Sequence, residues 1–142
     1  MMKNSLAEAL KQAHVVLARD LRELEQASQC SSSGDLDGLR AQLGATHAHV
    51  TEHFRFEEQN GYMDAVRKRE PRLERIIREL AEEHSQLRSS LEELIGEARV
   101  TSSLGGLLRE RIRTWVKRVR QHEMRENDVV QDAFNLDIGA ED

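Results

Sequence analysis

His53 and Glu57 stand four positions apart in His53-Phe54-Arg55-Phe56-Glu57-Glu58, and the same spacing returns at His122 and Glu126. A helix comes back to one face after about 3.6 residues, so each imidazole shares a face with the carboxylate one turn further on. Single histidines at His14 and His84 add two more nitrogen donors. If these six side chains meet, they can hold a cation. Imidazole and carboxylate donors suit iron, manganese or zinc, and ligand type alone does not choose among them. Cys30 is the only cysteine, which excludes an intrachain disulfide and a thiolate metal cage.

The elements that must carry these groups are helices. Aromatic residues are 4% of the chain and proline occurs once, so strand-favouring content is low. Leu10, His14, Leu17, Leu21 and Leu24 follow a four-three spacing after a cap at Asn4 or Ser5, predicting a helix over about 4–28. The Ser-rich stretch from Ser28 to Asp35 is a loop, with Asp35 placed to cap a second helix over about 36–68. Its stripe is Leu36, Leu39, Leu43, Thr46, Val50, His53 and Glu57, with a stop or kink at Asn60-Gly61. Pro71 opens a third helix over about 71–98, carrying Leu73, Ile77, Leu80, His84, Leu87, Leu91 and Leu94. A fourth, over about 103–134, carries Leu108, Ile112, Trp115, Val119, His122, Glu126, Val129 and Ala133, and the acidic tail 135–142 is frayed. Four amphipathic helices with short connections predict an all-α, up-down-up-down antiparallel four-helix bundle forming a single domain over 1–142.

Each helix thus sends at least one imidazole or carboxylate into an apolar seam. A lone core histidine is most often a packing residue, but a buried carboxylate without a partner costs several kcal/mol or takes up a proton. Two such carboxylates and four imidazoles on one seam are satisfied together by a central cation. Counting residues from the turns puts His53, Glu57 and His84 in one layer, with His14 near it. The same count displaces His122 and Glu126 by one or two turns.

With these motifs in this order, the chain resembles the hemerythrin-like, or HHE cation-binding, domains. The resemblance rests on the helix-one His14, on His53-x-x-x-Glu57, on Glu83-His84, and on His122-x-x-x-Glu126, and covers nearly the whole chain. It implies a non-haem di-iron centre in which His14, His53, His84 and His122 are terminal ligands and Glu57 and Glu126 bridge two iron ions; zinc and manganese are less expected. A ferritin-like Glu-x-x-His pattern fails, because Ala81 and Val119 stand three residues before His84 and His122. Oxygen-carrying members of the family have a further histidine where this chain has Leu80, and their last motif ends in Asp where Asn127 stands. The pattern is similar to the four-His, two-Glu subgroup. Its smaller ligand set leaves coordination positions open, which implies redox handling or sensing of dioxygen, peroxide or nitric oxide rather than oxygen carriage. If enzymatic, the activity implied is peroxidase- or catalase-like, or of the oxidase and ferroxidase type. The alternative is a non-enzymatic iron or oxygen sensor whose folding depends on metal.

Other residues have weaker claims. His49, one turn before His53, and Glu58 and Tyr62 beside the break are candidates for supporting the ligands. Cys30 reads as an inert exposed thiol. Arg109, Arg111, Arg113, Lys117, Arg118, Arg120 and Arg125 make the last helix basic, and their scatter around it predicts a solvated face paired with neighbouring acids. Twenty-six acidic residues against 21 basic leave a net charge of −5, which together with the lack of interleaved aromatics argues against nucleic acid. Without an apolar run of membrane-spanning length or a signal peptide, the expectation is a cytoplasmic protein with no membrane partner and a small oxidant as its ligand.

Overall fold

The computed structural model describes residues 2–29, 36–59 and 61–134, with side chains from residue 8 onward. Cys30, the Asp35 cap, Asn60 and the tail 135–142 lie outside them. The described chain is all-α: α1 Met2–Gln29, α2 Leu36–Gln59, the short α3 Tyr62–Arg69, a 3-10 turn at Pro71–Leu73, α4 Glu74–Val100 and α5 Gly106–Phe134. The four long helices form a ring in which α1 packs on α2 and α5, and α4 packs on α2 and α5. α3 touches all four and closes one end. Among the described residues, no helix is long and apolar enough to cross a membrane.

Periodicity decides which face each helix buries. Leu10, Leu17, Leu21 and Leu24 of α1 are buried, as are Ile77, Leu80, His84, Leu87, Leu91 and Leu94 of α4. In α2 the buried set is Leu36, Leu39, Leu43, Thr46, Val50, Phe54 and Glu57. Phe54 therefore takes the central place that spacing alone gives to His53, which lies beside it and is nearly buried. Ile112, Trp115, Val119, His122, Glu126 and Val129 are the buried stripe of α5, and the Trp115 indole N–H donates to the Leu87 carbonyl at 2.9 Å. The apolar side chains fall into two clusters. One runs from Leu17 and Leu43 through Leu91 to Trp115 and Val119; the other joins Leu10, Tyr62, Met63, Ile77, Leu80 and Val130 at the end covered by α3.

The helix ends depart from the expected limits for identifiable reasons. α1 is already helical at Met2, so Asn4 and Ser5 do not open it. The stop or kink expected at Asn60-Gly61 is a full break, because Gly61 turns the backbone back against the last turn of α2. A Cβ at Gly61 would lie 2.8 Å from Glu57 Cα, closer than real Cβ atoms approach, and a tight 3.0 Å from the Phe56 carbonyl oxygen. Pro71 opens a single 3-10 turn, and α4 starts at Glu74 and continues to Val100. Its C-terminal carbonyls are met by Arg40 of α2, whose guanidinium donates to Ala98 O at 2.8 Å and Thr101 O at 2.9 Å. α5 starts at Gly106, three residues later than expected. Its basic residues pair with acids of neighbouring helices: Arg120 makes two bonds to Glu25 of α1, at 2.8 and 2.9 Å, Arg111 meets Glu97 of α4, and Arg125 meets Glu83 of α4 at 3.2 Å.

Two glycine substitutions should act in opposite directions. Gly61→Ala forces the break away from Glu57 and should cost about 1–3 kcal/mol, the range for overpacking a filled site. Gly96→Ala, on an exposed turn of α4 with open space around it, should instead stabilise by roughly 0.5–1 kcal/mol through helix propensity. Denaturant unfolding of both variants checks the signs.

Candidate metal centre

Glu57 and Glu126 face each other between the two apolar clusters, 1% and 0% exposed. Each carboxylate touches imidazoles on both sides of the bundle axis. Glu126 Oε1 lies 3.1 Å from His14 Nε2, while its Oε2 lies 3.0 Å from His122 Nε2 and 3.2 Å from His84 Nε2. Glu57 Oε2 lies 2.9 Å from His53 Nε2 and 3.5 Å from His14 Nε2, and its Oε1 lies 3.1 Å from His84 Nε2. Two four-residue groups result, His14, His53, Glu57 and Glu126, and Glu57, His84, His122 and Glu126, and the donor atoms within each lie within 4.8 Å of one another. Both carboxylates belong to both groups.

Helix geometry produces this convergence. His53 and Glu57, like His122 and Glu126, are one turn apart on the same helix. His84 lies 16 residues before the end of α4 at Val100, and His122 lies 16 residues after the start of α5 at Gly106, so the two are level in their antiparallel pair. The displacement of His122 and Glu126 expected from sequence is therefore absent, because α5 starts later and α4 ends later than expected.

Around the donors, further groups fix their orientation. Glu58 accepts from His84 Nδ1 at 2.6 Å, and Glu83 accepts from His122 Nδ1 at 2.6 Å. Tyr62, buried at the start of α3, donates its hydroxyl to Glu126 Oε2 at 2.9 Å. Phe54 stacks on His84 with centroids 3.9 Å apart and planes 9° from parallel. Glu58 and Tyr62 thus lie against the cluster, whereas His49 does not. It is 57% exposed and its Nδ1 is 2.9 Å from Asp20 Oδ2 on α1. His47 pairs with Glu92 on the surface.

Two further carboxylates, Glu83 and Glu123, lie against the donors without being among the site residues that the sequence marks. Glu83 precedes His84, but its role toward His122 on another helix depends on the α4–α5 packing. Glu123 lies three residues before Glu126, at the edge of the seam, a spacing that does signal it. Burial pushes its carboxyl up to about 7, with His14 and His53 pulling the other way and Glu126 and Glu57 adding to the rise.

The electrostatics describe a cluster that requires positive charge. Burial disfavours charge on His14 and His84, but the hydrogen bond to Glu126 and the nearby Glu57 carboxylate outweigh it and raise both imidazoles from 6.5 to about 10. His122 is raised by the same balance of burial against Glu126. Burial opposes ionisation of Glu126, yet His122, His14 and His84 hold it well below the ordinary carboxylate range. Protons alone do not satisfy the donors. Both oxygens of Glu57 and Nε2 of His53 are buried without a hydrogen bond, although they are close, because donor and acceptor directions do not line up. Harder nitrogen and oxygen donors left in this condition fit a metal cation.

A consequence follows for the metal-free protein. A folded-state pKa above the unfolded value contributes stability that is complete below pH 6.5 and is lost as pH rises toward 10. The melting temperature of metal-free protein should fall across that interval. Saturation with a cation, which requires those protons to leave, should make the fall shallower. A flat metal-free profile would show that the imidazoles are neutral.

Comparison with known proteins agrees with this chemistry. No curated protein and no solved structure gives a match. A family profile described as Hemerythrin HHE cation binding domain matches residues 5–134, which include all six converging histidines and glutamates. The chain belongs to the hemerythrin HHE cation-binding domain family.

Proposed function

We propose that this protein holds two iron ions and uses them to bind, reduce or sense a small oxidant: dioxygen, peroxide or nitric oxide. The observation that carries this reading is the sharing of Glu57 and Glu126 between two donor groups, with buried Glu57 and His53 atoms left without hydrogen bonds. His14 and His53 would hold one ion, His84 and His122 the other, and the two carboxylates would bridge them. When bound, such a pair supplies exchangeable coordination positions and electrons for a small ligand.

The chain's own residues favour a small uncharged visitor. A crevice of about 10 Å³, lined by Ala9, Leu10, Ala13, Phe56, Glu57, Gly61 and Tyr62, reaches the cluster between α1 and α2. That is room for about one water-sized sphere. Leu80, fully buried one turn before His84, adds no donor and packs in the apolar cluster under α3. The Tyr62 hydroxyl holds Glu126 in place and keeps its proton beside it, with its own ionisation pushed well above ordinary tyrosine by burial and by Glu126.

Anaerobically purified protein supplied with ferrous iron should take up two irons per chain and develop near-ultraviolet charge-transfer absorption when air or peroxide is admitted. Mössbauer spectroscopy separates one iron environment from a coupled pair. One tightly held zinc and no such absorption would overturn the reading.

A second reading, an iron sensor whose fold responds to loading, is favoured by the position of the polar layer between the two apolar clusters. Metal-free protein should then melt at a distinctly lower temperature and lose helix before the iron-loaded form. Equal melting temperatures and equal helicity would count against it.

A further inference from the structure

The two halves of the cluster are built differently. His84 and His122 have fully buried side chains, and each gives its Nδ1 proton to a carboxylate at 2.6 Å, Glu58 and Glu83 respectively. Glu83 is itself held by Arg125 at 3.2 Å, and His84 is clamped by the stacked ring of Phe54. Donation from Nδ1 to a carboxylate fixes the tautomer, leaves the Nε2 lone pair facing the site and makes the imidazole a stronger donor. Among the described residues, no carboxylate stands on Nδ1 of His14 or His53. Their side chains are 12% and 8% exposed, and they lie on α1 and α2, the helices between which the crevice runs.

Resting on the two-cation reading above, we propose that the halves load in order. The His84–His122 half takes its cation first and holds it more tightly, and the His14–His53 half is the exchangeable position. The carboxylates on Nδ1 set the order by pre-orienting one pair of imidazoles. The other pair lacks such partners and lies nearer to solvent.

Anaerobic titration of the full chain with Co(II), followed by calorimetry and by the visible absorption of the bound ion, tests this. Two separable binding steps are expected. Glu58→Gln and Glu83→Gln should each weaken the first step by about ten- to a hundredfold, the usual effect of removing such a partner, and leave the second in place. Circular dichroism of each variant establishes that it folds, and these substitutions keep size while removing the charge that polarises the imidazole. Two indistinguishable affinities in the native chain would overturn the order and leave the two-cation reading standing. So would Glu58→Gln and Glu83→Gln effects confined to the second step, or no effect of either on the first. Failure to bind any Co(II) or ferrous iron would remove both.

Discussion

Everything in this bundle answers to two carboxylates buried almost completely. Glu57 and Glu126 sit at 1% and 0% exposure among leucines and valines, and an unpaired charge in such a place costs several kcal/mol. Four histidines from four helices converge on them, so the neutralising groups also tie α1, α2, α4 and α5 to one layer. Positions that would otherwise be aliphatic are given to imidazole, and the surrounding acids, Glu58 and Glu83, extend the network outward to half-exposed residues. Charge compensation and helix register are the same constraint seen from two directions.

Much of this was legible from spacing. The four-three pattern identifies the long helices because burial of one stripe is what stabilises them, and His14, His84 and His122 occupy positions that the pattern marks as core. Spacing was less reliable around His53. Phe54 and His53 are neighbours on the helix surface, and only the packing of α2 on α4, where Phe54 stacks on His84, decides which is central. The level of His122 depended on whether α5 starts at 103 or 106, a difference of almost one turn. Gly61 marked a break, but its reason, contact with the backbone of Glu57, is tertiary. Glu83 was invisible as a partner of His122 because adjacency in sequence to His84 says nothing about the helix across from it.

The exterior follows the same economy. The basic residues of α5 are tied by pairs such as Arg120 with Glu25 and Arg125 with Glu83, and Arg40 reaches across to the carbonyl end of α4. Exposed pairs of this kind contribute little singly, about 0–1 kcal/mol each. Arg125 is different in kind, because the carboxylate it holds is the one that orients His122. A surface guanidinium thereby acts on the rotamer of a buried imidazole.

The division of the apolar interior into two clusters has a mechanical meaning. The cluster under α3 comprises residues from α1, α3, α4 and α5 but no apolar side chain of α2, which ends at Gln59 just past Glu57. That end of the molecule meets the longer apolar cluster across the polar layer, through which α1, α4 and α5 also run, so the layer works as a clutch. With charges balanced there, opening at the α3 end should drag on the whole bundle, and amide exchange in Tyr62–Arg69 should follow global unfolding. With the balance disturbed, the same segment should open more nearly as a separate cooperative unit.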